Sequence, residues 1–209
     1  DKTPTVYAAI FARHGVTPDT AMMVGNSLKS GAAVGTLLAQ AIPSTLVLAV
    51  CGLSAGIVFA FVLAILATYG RQHWVRRVTR AFPPVLVSLP VFWVGIVLVQ
   101  VFSFKLGWVP TIGASPLQAL VLPTLTLAVP MGAPLAQVLI ASIDEVNGED
   151  FVDVVKARGA KPGWVLWHNV LRNASLPVIT MGGVLLTELI SNAVVTETVF
   201  GRVGIGSLT

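Results

Sequence analysis

The sequence predicts an all-α membrane protein that crosses the bilayer several times. Hydrophobic residues make up 55% of the 209 positions and charged residues only 11%, whereas soluble domains carry about 25% charged residues. Residues Ala41 to Gly70 contain no charge, and at about 1.5 Å per helical residue such a run crosses a hydrocarbon core of roughly 30 Å. The thirteen Lys+Arg and nine Asp+Glu leave a formal charge of +4, and they are bunched between the apolar runs, a pattern that nucleic-acid binding does not explain. Cys51 is the single cysteine and sits in an apolar run, which excludes an intrachain disulfide and a cysteine-based metal site.

Residues 1–40 mix polar and apolar groups, with short periodic pieces such as Val6 to Phe11, and are expected to form an external segment next to the membrane. Residues 41–209 form the transmembrane domain. Its spans are expected at Ala41 to Gly70, at Ala81 to Phe104, at Leu117 to Ile143 and at Asn173 to Thr196, the last interrupted only by Glu188. Pro110, Gly113, Ser115 and Pro116 mark the loop before the third span. Arg71, Arg76, Arg77 and Arg80 crowd one connection, and Lys156, Arg158, Lys161 and Arg172 the other, so both are expected on the cytoplasmic side. The loop from Lys105 to Pro116 then lies outside, as do both ends of the chain. The opening Asp1-Lys2-Thr3-Pro4 does not read as a cleavable signal. Further chain is expected beyond each end.

The connection from Asp144 to Arg172 is polar yet keeps helical spacing. Phe151, Val154 and Val155 fall at i, i+3 and i+4, and predict a short amphipathic helix ending near Arg158, with Gly159 as a stop able to take positive φ. Pro162 suits the first turn of a second helix, with Trp164, Trp167 and Leu171 on one face. Such a helix–glycine–helix knob can insert into a groove on a partner. Spacing alone equally allows two interfacial helices that close a loop.

The order of motifs separates these readings. Phe151-Val152-Asp153-Val154-Val155-Lys156-Ala157-Arg158-Gly159 and Leu171-Arg172-Asn173-Ala174-Ser175-Leu176-Pro177 resemble the EAA-type coupling loop of binding-protein-dependent ABC importer permeases. The interval from Gly159 to Leu176-Pro177 resembles that of the oligopeptide/dipeptide branch. Ser88-Leu89-Pro90 with Phe92-Trp93, Leu106-Gly107-Trp108-Val109-Pro110, and Glu197-Thr198-Val199-Phe200 through Gly204-Ile205-Gly206 occur in the same family's order. The resemblance covers roughly Gly25 to Gly206. It departs where Asp153-Val154-Val155 replaces the acidic-Ala-Ala triplet.

The resemblance implies a type I permease-like helical bundle in a bacterial inner membrane, with a further span beyond each end of this chain. It implies a second permease, two cytoplasmic ATPases that use ATP and Mg, and an external binding protein that delivers short peptides. The residues it marks for ATPase coupling are Phe151, Asp153, Val155, Ala157, Arg158, Gly159 and Trp164. Those it marks for the external gate and the binding protein are Glu197, Phe200 and Gly204. The chain itself has no G-x-x-x-x-G-K-[ST] loop to cradle phosphates, so ATP hydrolysis is assigned to other subunits and no cofactor to this chain.

Other apparent chemistry is weaker. Gly52-Leu53-Ser54-Ala55-Gly56 matches a nucleophile-elbow pattern, but that motif needs a strand and a sharp turn. Inside a span it reads better as Gly-xxx-Gly helix packing. Gly201 to Gly206 fits a nucleotide-loop pattern only loosely and follows no strand. His14, His73 and His168 lack ligand spacing, so no metal site is expected. Glu188 lies deep in a span, with Ser191 and Asn192 at i+3 and i+4 and Thr187 and Thr180 nearby. These groups can line a translocation path, or Glu188 can be satisfied by a polar group on a neighbouring helix. A secondary transporter that uses Glu188 as an ion site is the alternative from another class, and a non-transporting scaffold is a third.

Overall fold

A computed structural model of the chain describes residues 18–109, 115, 117–202 and 204–208. All regular structure among them is helical. The chain divides into two compact units, Asp1–Ile42 and Pro43–Thr209. Of the first, the described residues are helical from Pro18 onward; the periodic piece Val6 to Phe11 lies outside the described residues.

The first helix, α1, is Pro18–Tyr69, and its segment Ala41–Tyr69 is long and apolar enough to cross a membrane. Helix α4, Gln118–Asn147, meets the same test, as does the stretch Pro162–Val199. The expected span Ala81 to Phe104 is not one straight helix. Helix α2, His73–Val87, and helix α3, Val91–Leu98 with its π-helical continuation Val99–Lys105, are bent by 115° about Ser88-Leu89-Pro90. Pro90 has no N–H and disfavours helical backbone at Leu89, so continuous helix through this point is opposed sterically. At about 1.5 Å per residue, the part after the break falls short of a roughly 30 Å core.

Helix α4 is the centre of the unit. Leu127, Met131, Leu135 and Leu139 recur every four residues and are almost wholly buried, the first three against Leu48, Ala60 and Leu63 of α1 and against Leu185, Leu189 and Ala193 of α7, Leu171–Val199. The helices cross closely because the side chains there are small: a Cβ on Gly52 would lie 2.5 Å from Leu127 Cδ2, and one on Gly132 would lie 2.6 Å from the Gly56 carbonyl oxygen. Ser54 donates its hydroxyl to the Val50 carbonyl at 2.8 Å within α1, so the Gly-xxx-Gly packing reading holds and the nucleophile elbow is excluded. Close backbone approach matters here because lipid offers no hydrophobic drive for helices to associate.

A second core lies at the end of the bundle nearer residue 144. There Val152, Val165, Leu166, Val170 and Leu171 pack with Ala64 of α1 and with Leu139 and Ile143 of α4. Arg80 of α2 clamps the same end. Its two terminal nitrogens bond Asp144 at 2.7 and 2.8 Å, and its Nε donates to the Ala67 carbonyl at 3.0 Å. Tyr69 adds a hydroxyl bond to Asn147 Oδ1 at 3.0 Å. One guanidinium thus ties α1, α2 and α4 by a two-pronged carboxylate contact that a lysine could not reproduce.

Candidate functional site

The polar connection folds as a knob on this second core. Helix α5, Asp150–Ala157, begins with Asp150 and Asp153 in its first turn and ends with Lys156, charges that complement the helix dipole; Lys156 also pairs with Asp153 at 3.1 Å. The chain then reverses at Gly159, whose φ of +84° is a left-handed conformation that favours glycine. Pro162 opens α6, Pro162–Val165, which passes through a π-helical turn, Leu166–Val170, directly into α7.

The predicted helix–turn–helix is present, and the apolar residues picked out by spacing do not all share one environment. Val152 is fully buried, while Phe151 and Val154 are 41% and 51% exposed. In the second arm Val165, Leu166 and Leu171 are buried, whereas Trp164 and Trp167 point outward. The π turn at Leu166–Val170 takes in one residue more than α-helical periodicity allows and so separates Leu171 from the face of Trp164 and Trp167, an effect a 3.6-residue pattern cannot register. Trp164 forms one wall of a cleft of about 370 Å³, lined also by Val155, Arg158, Gly159 and Ala160. Trp164 stacks on His168 with ring centroids 4.8 Å apart, which stiffens one wall. Four of the seven expected coupling residues therefore line one cleft, with Phe151, Asp153 and Ala157 exposed on the adjoining helix.

Helix α7 carries a second candidate surface. Leu185, Leu189 and Ala193 face the core, and the opposite side presents Thr180, Thr187 and Ser191 in one exposed row, with Glu188 exposed beside it. Asn192 is half-buried. The Glu188 carboxylate makes no hydrogen bond or ion pair among the described residues. Exposed Val184, Leu186, Ile190 and Val195 surround these polar groups. An ionisable group on a spanning helix is costly against lipid tails and needs water or a polar neighbour.

The far end of α7 closes in a clasp. Glu197 is 1% exposed. Its Oε1 accepts the Thr45 hydroxyl at 2.7 Å and its Oε2 accepts the Gly206 N–H at 2.9 Å, while Ile205 N–H donates to Thr45 at 3.1 Å. A side chain on Gly204 would run into the Glu197 carboxylate. Glu197 and Gly204 are thus buried in the chain's own packing, whereas Gly201 is exposed and Phe200 and Arg202 are half-buried. These three, with Gln118, Leu122 and Pro123, line a cavity of about 220 Å³. The Glu197 clasp and the Arg80–Asp144 clamp both join residues far apart in sequence, so no local pattern announces either one.

Helices long and apolar enough to span a bilayer, with a helix–turn–helix knob packed on one end, define a polytopic membrane bundle. Residues 56–209 match the family described as "Binding-protein-dependent transport system inner membrane component". The chain belongs to that family, the membrane subunits of ABC importers, which are multi-pass proteins of the bacterial inner membrane. It is 35% identical over 184 residues to the glutathione transport system permease protein GsiC of Escherichia coli (strain K12), a match covering 88% of this chain and 60% of the relative. The GsiC protein of Shigella boydii serotype 4 (strain Sb227) is 34% identical with the same coverage. The chain thus spans 60% of the length of these relatives. A crystal structure of an amino acid ABC transporter with histidines superposes with a TM-score of 0.65 over 86% of this chain and 78% of that one, at 16% identity, which supports the shared fold.

Proposed function

We propose that this chain lines half of a translocation path for short peptides or glutathione-like thiol peptides. In this reading it pairs with a second permease and is driven by two cytoplasmic ATPases that bind ATP and Mg. An external binding protein delivers the substrate. The observation that carries the reading is the knob: exposed Phe151, Trp164 and Trp167 surround a glycine elbow whose back is packed onto the inner ends of α1, α4 and α7. An aromatic, partly hydrophobic outer surface suits insertion into a groove on a soluble subunit. Because its back is buried in the bundle, displacement of the knob moves the spanning helices and alternates access to the path.

The polar row on α7 supplies the wall of that path, with Glu188, Ser191 and Asn192 as its principal groups. A path lined by hydroxyls and one carboxylate solvates a polar peptide without holding it tightly. The direct test is isolation of the intact assembly from its native membrane, followed by uptake assays in proteoliposomes. Subunits that hydrolyse ATP, and uptake of a labelled short peptide that requires ATP inside, are expected. Uptake that proceeds without such subunits and collapses with the ion gradient would overturn the reading in favour of a secondary transporter.

A further inference from the structure

Helix α2 offers a surface that transport does not use. Trp74, Val78, Phe82 and Val85 follow at i, i+4, i+8 and i+11, positions that share one helix face, and they are 70%, 43%, 45% and 58% exposed. On the opposite side Pro83 is buried and Arg80 is held by Asp144 and the Ala67 carbonyl, which fixes the roll of the helix and turns the apolar stripe outward. The 115° bend to α3 turns α2 away from the direction of the segment that follows it. Arg77, on the flank of the stripe, and Arg71, just before the helix, are exposed and form no ion pair among the described residues, while Arg76 falls on the Pro83 side. The sequence has no acidic residue between Asp19 and Asp144, and Asp144 is engaged by Arg80.

We propose that α2 lies in the inner leaflet interface, with its stripe among the upper acyl chains and Arg71 and Arg77 on anionic phospholipid headgroups. The occupant is argued from charge. A narrow apolar face bordered by unneutralised arginines at the end of spanning helices complements an anionic leaflet, whose surface potential attracts such basic groups. Trp74 suits the interfacial depth, with its indole body apolar and its N–H able to meet headgroups. The inference takes the inner side from the orientation proposed above, and its readout is independent of transport.

The test uses the assembled transporter with its full-length subunits in nanodiscs of phosphatidylcholine, alone or doped with phosphatidylglycerol. A nitroxide on Val78→Cys is expected to be accessible to oxygen and shielded from a water-soluble nickel chelate. Photoactivatable phosphatidylglycerol is expected to label the peptide around Val78. The yield should fall about fivefold or more in the Arg71→Gln/Arg77→Gln double variant and recover in Arg71→Lys/Arg77→Lys. Three results would overturn the proposal: a nitroxide shielded from both reagents, meaning a protein neighbour covers the stripe; one open to the chelate, meaning it faces water; or labelling unchanged by the loss of charge. The nitroxide arm decides the matter if the glutamine variant does not assemble. ATP-driven uptake measured on the same preparations reports separately on the transport reading.

Discussion

At the scale of single residues, two charged groups make opposite use of their surroundings. Arg80 and Asp144 are about 40% exposed, so their attraction is screened and the bond is worth about 1 kcal/mol in spite of its two-pronged geometry. Arg80→Ala and Asp144→Ala should each lower the thermal stability of the purified complex modestly. A double-mutant cycle should give a coupling near that value, and additive losses would show that the pair does not interact. Glu188 has no partner among the described residues. Glu188→Gln keeps the hydrogen-bonding capacity and should retain most uptake, whereas Glu188→Leu should lower uptake severalfold at equal membrane abundance. Equal uptake with leucine would remove Glu188 from the path.

At the scale of elements, legibility in the sequence followed the physics of each segment. The span beginning at Ala41 was plain because a charge-free run of that length has few other solutions. The elbow at Gly159 was plain because a glycine between a dipole-matched short helix and a Pro162 start has a local cause. The second span was marked by composition, but its break was not. Its composition is apolar throughout, and the break rests on one proline and the two residues before it. In the second arm of the knob Leu171 parts from the face of Trp164 and Trp167 because the π turn at Leu166–Val170 shifts the register. Whether Glu197 belonged on an external surface could not be read locally, because the residue that buries it, Thr45, lies 152 positions away. The elbow also yields a prediction. Gly159 has open space where a side chain would go, so Gly159→Val meets strain from its positive φ instead of a clash. Strain of this kind is worth about 1–3 kcal/mol. The variant should insert and assemble normally while its ATP-driven uptake falls at least severalfold, and unchanged uptake would count against a coupling role.

At the scale of the whole molecule, α1, α4 and α7 form one packed body whose ends are fastened by different means. The end nearer Asp144 is held by the Arg80 clamp and the Val152–Leu171 core, and the opposite end by the buried Glu197 clasp. Close packing along α4 transmits displacement between them, because cores of this density shift as units. Force applied at the knob therefore reaches the helix that carries Thr180, Thr187, Glu188 and Ser191 without any flexible link between. A cross-linking measurement tests this most directly, with a cysteine in place of Phe151 in the assembled complex, without nucleotide and with ATP. The account predicts an adduct with an ATP-hydrolysing subunit whose yield changes between the two states. A cysteine that forms no such adduct, or that reacts with impermeant reagents applied from outside the cell, would contradict it.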